Sequence, residues 1–313
     1  MQVTRKKIAV LATGGTLAGR AAEPADHIGY TAAQLGIEEL LAGIPALRGV
    51  PLISEQVAQI DSKDMDFACW RELALRCAHW LADDDIAGLV VTHGTDTLEE
   101  TAYFLHRVLA PAKPVVLTCA MRPATALMPD GPQNIVDALA VATADEARGV
   151  VAVCAGTVHG ALDIAKEHPY RLDAFTSADA GALGYVEDGK LRLVRPWPEP
   201  DAAAADAFRK FTGASRWPRV EIVMNYVGAG RAVVDALVAQ GVQGIVAAGT
   251  GNGTLNVELE AALVEAQERG VEVVRSTRCA RGRVLSPPSA RLADSGGLSP
   301  VKARIALMLA LLA

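Results

Sequence analysis

Four short, uninterrupted apolar runs, each ending in small or polar residues, constrain this chain most: residues 8–12, 89–92, 115–120 and 150–155. A strand with one wet face alternates apolar and polar residues, whereas a run that is apolar throughout suits a strand buried on both faces. Between the runs, residues 65–82, 98–109 and 133–148 space their apolar positions three and four apart, as one face of a helix does. Strand alternating with helix predicts an α/β fold: a larger N-terminal domain with a mostly parallel sheet flanked by helices.

The pattern lapses at residues 195–218, which are rich in proline and alanine. We read this stretch as a linker between a domain at 1–194 and a smaller C-terminal α/β domain at 219–313. Strands are expected there at 220–224, 244–248 and 271–275, with helices at 232–239, 259–269 and 300–312.

The formal charge of −6 and pI near 5.6 provide no general attraction to nucleic acid or to an acidic membrane. The five cysteines are odd in number and form no C-x-x-C pair, so they read as reduced core residues. The basic start is followed by an apolar run too short for a signal-peptide core, which predicts a cytoplasmic location. The apolar stretch at 303–313 is interrupted by Arg304 and falls below the roughly 20 residues that span a bilayer, so it reads as a core helix.

Open parallel sheets bind ligands beyond the carboxyl ends of their strands. Two polar clusters stand there: ATGGTLAG at 12–19 and THGTDT at 92–97. Both set threonine hydroxyls beside glycines, and a Gly-Gly turn suits backbone that must pass close to something else. Threonine becomes a nucleophile only when a neighbour takes its proton or stabilises the alkoxide. Other motifs fail on detail. There is no G-x-S-x-G elbow, and residues 184–190 have Walker spacing but continue with Leu191, so they read as a turn between strands. The stretch GTGNGT at 249–254 lacks the last glycine of a dinucleotide loop. The six histidines do not pair at metal-ligand spacing, so neither a metal nor a cofactor is expected; His79 and His106 read as ordinary helix residues.

TGGTLAG together with THGTDTLEETAYFL, then AMRPATALMPDGPQN at 120–134 and LSPVKAR at 298–304, resembles the bacterial-type L-asparaginase family, which includes glutaminase-asparaginases. The motifs occur in order over nearly the whole chain. The resemblance implies hydrolysis of L-asparagine to L-aspartate and ammonia through a β-aspartyl ester, with Thr16 as nucleophile. It assigns Tyr30 to assist from a mobile loop at 19–29, and makes Thr95, Asp96 and Lys166 a second catalytic group. It further implies substrate contacts from Gly15, Asp61, Ser62, Thr95, Asp96, Ala120 and Asn252. Asp96 suits the substrate ammonium and Ser62 the carboxylate, while backbone N–H groups near Gly15 and Thr95 would face the oxyanion.

Three positions depart from the family pattern. Lys63 stands where many members carry glutamine or glutamate, no glutamate occurs between residues 273 and 313, and Thr254 replaces a second asparagine after Asn252. Fewer acceptors for the substrate ammonium predict a preference for asparagine, weak use of glutamine and a relatively high Michaelis constant. The resemblance also implies a homotetramer, a dimer of dimers. Two other readings rank lower. An ammonia-supplying amidotransferase subunit for transfer-RNA-linked glutamate carries an extra N-terminal domain, whereas here the first strand starts within ten residues. An inactive amino-acid-binding regulator would not need the full set of Thr16, Thr95, Asp96 and Lys166.

Overall fold

The run at 8–12 forms the middle of β1 (Lys7–Gly14), buried at every position after Lys7. The computed structural model describes residues 6–312 and divides between Ala205 and Asp206 into two compact units. In the first unit β1 pairs in parallel with β2 (Leu52–Ile60) on one side and β3 (Ile86–Thr92) on the other. Beyond β3 follow β4 (Pro114–Thr118) and β5 (Gly149–Cys154), also parallel. The antiparallel β6 (Thr157–Gly160) comes next, while β7 (Ala165–Lys166) and β8 (Phe175–Thr176) form a separate ribbon. β9 (Gly184–Glu187) and β10 (Lys190–Leu193) complete an eight-stranded sheet in the order β10-β9-β6-β5-β4-β3-β1-β2.

This order positions the site. From β1 the chain steps outward to β2, then returns to the opposite side of β1 as β3. The loops leaving the carboxyl ends of β1 and β3 therefore diverge and open a crevice, the switch point at which open sheets bind ligands.

The helices of this unit are α1 (Ile37–Ala42), α2 (Phe67–Leu81), α3 (Leu98–Leu109) and α4 (Gly131–Ala142). Residues of α1 and α4 pack with Ile8, Val10 and Ala12 in one core cluster. Successive strand residues face opposite ways, so Ala9 and Leu11 point to the other layer, formed by α2 and α3. Asp66 starts α2 by accepting a hydrogen bond from Cys69 N at 2.8 Å. The helix expected over 133–148 stops at Ala142. The Thr143 hydroxyl bonds back to Leu139 O at 2.8 Å, and Glu146 lies at φ 58°, where a right-handed helix cannot continue. The segment with Walker spacing is a hairpin, β9 to β10, turned at Asp188 and Gly189 with φ of 49° and 71°.

The second unit is a parallel sheet of β11 (Val220–Met224), β12 (Gly244–Gly249), β13 (Glu272–Thr277) and β14 (Ala293–Asp294). Within the stretch read as linker, the alanine-rich residues form α5 (Ala204–Gly213), whose Phe211 is buried 5.8 Å from the Trp217 ring. The remaining helices are α6 (Ala232–Ala239), α7 (Val257–Glu268) and α8 (Pro300–Ala310). Five apolar residues of α8, from Ala303 to Leu309, are buried, and no helix among the described residues is long and apolar enough to cross a membrane.

Two buried imidazoles bear on stability. Burial depresses both His93, after β3, and His159, in β6, to a pKa of about 4 from an ordinary 6.5. Above pH 6.5 both are neutral whether the chain is folded or not. As pH falls from 6.5 towards 4, the unfolded chain takes up protons that the folded chain refuses, and each unit of separation costs about 1.4 kcal/mol. The Tm measured by calorimetry should therefore fall across that window, and His159→Gln should flatten the fall. An unchanged slope in the variant would exclude His159 as a contributor.

Candidate active site

The site is built by three loops pressed together backbone to backbone. β1 ends in Gly14 and Gly15, whose φ values of 105° and 81° lie in the left-handed region that favours glycine. Gly15 N donates to Ile60 O at 2.9 Å, tying the loop after β1 to the end of β2. A Cβ on Gly15 would lie 2.4 Å from Gly94 Cα, and one on Gly94 would lie 2.4 Å from Ser62 Oγ. Glycine is what allows the three loops to meet. Thr13 Oγ1 donates to Thr92 O at 3.1 Å inside the sheet, which gives this threonine a structural task and leaves Thr16 at the crevice.

Thr16 opens a short 3-10 turn (Thr16–Ala18) and is almost wholly buried, with its Oγ1 2.6 Å from Tyr30 Oη. Tyr30 is placed by the loop that carries it. Arg20 and Thr31 exchange backbone hydrogen bonds of 2.9 and 2.8 Å, closing the loop at its base. Gly19 leaves room for the Tyr30 ring, because a Cβ there would come within 2.8 Å of it. The loop also leans on the segment after β4: Ala124 N donates to Gly19 O at 3.0 Å and Leu127 N to Pro24 O at 3.1 Å. Burial, opposed by the Thr16 hydrogen bond and reinforced by Asp61 and Asp96, raises the Tyr30 pKa above the usual phenol value. At neutral pH Tyr30 is a phenol, able to accept a proton only while passing its own onward.

A second group forms around Thr95. Lys166 Nζ donates to Thr95 Oγ1 at 2.8 Å and to Asp96 Oδ1 at 2.7 Å. Glu99, in the first turn of α3, accepts from Lys166 N at 3.0 Å, so α3 holds the backbone that carries the lysine. Ser62 is buried and its Oγ accepts from Asp96 N at 3.2 Å, while its carbonyl accepts from Thr97 Oγ1 at 2.8 Å. Asp61 caps the turn Ser62–Asp64. Lys63 is exposed and pairs with Asp64, so its ammonium is turned to an acid of its own turn and the position offers no acceptor to a substrate ammonium.

The remaining predicted residues divide. Ala120 is buried just beyond β4, where Asp130 accepts from Met121 N and Arg122 N at 2.9 and 3.0 Å and Asn134 Nδ2 donates to Cys119 O at 2.9 Å. This is the work of the motif at 120–134. Asn252 lies in the second unit, its amide donating to Leu285 O at 2.9 Å and accepting from Leu285 N at 2.7 Å. Among the described residues no cluster of three or more His, Cys, Asp or Glu is placed to hold a metal ion.

One neighbour of these residues, His93, received no role in the sequence reading. His93 is fully buried, with Nδ1 2.7 Å from Gly94 O and Nε2 3.0 Å from Thr101 Oγ1, which in turn accepts from Trp70 Nε1 at 2.9 Å. The one available signal was a histidine placed directly before a glycine, which is too common to single out.

Two family models cover nearly all of the chain: the asparaginase N-terminal model over residues 7–199 and the glutaminase/asparaginase C-terminal domain over 219–313. The chain belongs to the asparaginase family. Among asparaginase relatives, L-asparaginase 2 of Escherichia coli is 39% identical, covering 97% of this chain and 88% of its own. L-asparaginase 2 of Bacillus subtilis is 38% identical, covering 97% and 82%. A crystal structure described as a probable cytoplasmic L-asparaginase from Campylobacter jejuni superposes with a TM-score of 0.90 at 37% identity, covering 98% of this chain and 95% of that one. The family read from TGGT and HGTDT is thus the family of the whole asparaginase fold seen here, in both units.

Proposed function

We propose that the chain is an L-asparagine amidohydrolase, releasing L-aspartate and ammonia by double displacement. The observation that carries this reading is the pairing at one crevice of a buried threonine on a phenol with a second threonine on a lysine–aspartate pair, Thr16–Tyr30 and Thr95–Lys166–Asp96. Thr16 Oγ1 attacks the side-chain amide carbon. Its proton passes to the Tyr30 oxygen as the Tyr30 proton passes to the leaving nitrogen, and ammonia departs to leave a β-aspartyl ester. Water then cleaves the ester, and the relay run backward returns a proton to Thr16. The positive charge of Lys166 beside Thr95 favours negative charge developing there.

Asp96 would take the substrate ammonium and Ser62 the carboxylate, with Gly15, Asp61 and Ala120 lining the pocket. The backbone N–H groups of Thr16 and Thr95 donate to no group among the described residues, which suits them to an oxyanion. With Lys63 committed to Asp64 and no glutamate after Glu272, the ammonium has few partners, so asparagine is preferred and glutamine is a weak substrate.

The active assembly in this reading is a cytoplasmic homotetramer. In its support, Met224, Tyr226, Val227 and Val257 are all exposed, and Asn256 N donates to Asn225 Oδ1 at 3.0 Å, so these apolar side chains lie on neighbouring segments that water alone would cover. Ammonia release measured with L-asparagine, D-asparagine and L-glutamine on purified protein tests the reaction. L-asparagine should give the highest kcat/KM, by about tenfold or more over L-glutamine; equal values for the two would overturn the preference, and no ammonia from any of them would overturn the function.

A further inference from the structure

The amide of Thr95 has a device behind it that neither the motif nor the substrate explains. A carbonyl oxygen can only accept, so the 2.7 Å contact with Gly94 O makes His93 Nδ1 the donor. Burial keeps the imidazole neutral, and its Nε2 is then an acceptor, which requires the Thr101 hydroxyl to donate to it at 3.0 Å. The Trp70 indole, a donor only, completes the sequence at 2.9 Å. The order runs from Trp70 Nε1–H to Thr101 Oγ1–H to His93 Nε2, and from His93 Nδ1–H to Gly94 O. Every bond has one direction, so the tautomer is fixed.

The last acceptor belongs to the Gly94–Thr95 peptide. In a planar trans peptide the carbonyl and the N–H point to opposite sides, so a carbonyl held by His93 turns the Thr95 N–H away from the core. That N–H has no partner among the described residues. Gly94 itself lacks any side chain to fix its rotation, and Gly15 packs against its other face. Hydrogen bonds in series also polarise one another, which makes the terminal amide a stronger donor.

We infer that His93, held by Thr101 and Trp70, is a positioning residue for catalysis: through the Gly94 carbonyl it aims the Thr95 N–H at the oxygen of the amide under attack. The inference rests on the amidohydrolase reading above. A histidine that merely filled the core would need volume and a polar partner, whereas this assignment requires a donor at the Nδ1 position.

The two requirements separate in two variants. In His93→Asn the amide nitrogen sits where Nδ1 was and still reaches Gly94 O; in His93→Gln the longer side chain fills more of the space and reaches towards Thr101 but leaves the carbonyl free. Steady-state ammonia release from L-asparagine should give His93→Gln a kcat lower by on the order of 10- to 100-fold, below the full cost of losing an oxyanion donor, with KM changed by no more than about twofold. His93→Asn should recover most of the loss. Equal kcat in the two variants, or a kcat for His93→Gln near wild type, would overturn the assignment.

Should neither variant fold, Thr101→Val carries the test. It keeps side-chain volume but frees the ring to swing from the carbonyl, and kcat should fall by roughly threefold to tenfold at constant KM, with Thr101→Ser restoring it. A drop in Tm with unchanged kcat in Thr101→Val would mark the network as structural alone. Wild-type protein that releases no ammonia would count against the function itself, before any variant is compared.

Discussion

Replacing Thr16 by alanine should lower kcat for L-asparagine by on the order of 10³-fold or more, because the atom that forms the ester is gone and the remaining binding groups supply only residual catalysis. Among the described residues the Thr16 hydroxyl has one hydrogen-bond partner, Tyr30 Oη at 2.6 Å. The substitution removes one hydroxyl and one methyl group from a buried turn and leaves the Gly15–Gly94 contact untouched, so the Tm should fall by no more than a few degrees. L-aspartate binding should persist as well, since Ser62 and Asp96 are unaltered. A calorimetric titration of the variant with L-aspartate separates a lost nucleophile from a collapsed pocket: retained binding with abolished turnover is the expected pair of results.

The second large effect is expected from Gly15→Ala, and it falls on stability and activity together. An alanine at φ 81° and ψ −170° adopts a backbone conformation nearly confined to glycine, which costs about 1–3 kcal/mol. Its Cβ would also lie 2.4 Å from Gly94 Cα and 2.6 Å from Gly94 N, and backbone cannot turn aside as a side chain can. Overpacking of this kind adds about 1–3 kcal/mol, for a total near 2–6 kcal/mol. At the usual sensitivity for a unit of this size, roughly 2–4 °C per kcal/mol, Tm should fall by on the order of 4–24 °C. Because the loops bearing Thr16 and Thr95 are forced apart, kcat should fall as well. Gly43→Ala is the matched control. Gly43 ends α1 at φ −71° with its nearest contact at 3.4 Å, so alanine there should be neutral or slightly stabilising.

The parts of the fold legible in the sequence are those where burial on both faces leaves an unbroken apolar run. β1, β3, β4 and β5 are of this kind, and their helices declared themselves by spacing. β2 was not legible. Its sequence, LISEQVAQI, is half-buried along the sheet edge and carries Ser54, Glu55 and Gln56, so it shows no apolar run. The short antiparallel strands β6, β9 and β10 hold four residues each, too few to show a period.

At the site, the threonines could be found because their glycines are unusual, and Lys166 because a family resemblance supplied its spacing. Composition alone would have left Lys166 on the surface. The role of His93 depends on a tautomer set by Trp70 and Thr101, side chains brought to it by α2 and α3, and no local pattern encodes that direction. The pairing of Lys63 with Asp64 was not legible either, because it is a matter of rotamer rather than of residue type.

Thr16, rather than Thr95, is expected to carry the acyl group. The geometry makes this a sharp question, since the Thr95 hydroxyl meets a lysine, at 2.8 Å, while the Thr16 hydroxyl meets a phenol. Rapid acid quench of the wild-type enzyme during turnover of L-asparagine, followed by proteolysis and mass spectrometry, locates the ester directly. One aspartyl residue is expected on Thr16 and none on Thr95; an ester on Thr95 would overturn the assignment of the nucleophile.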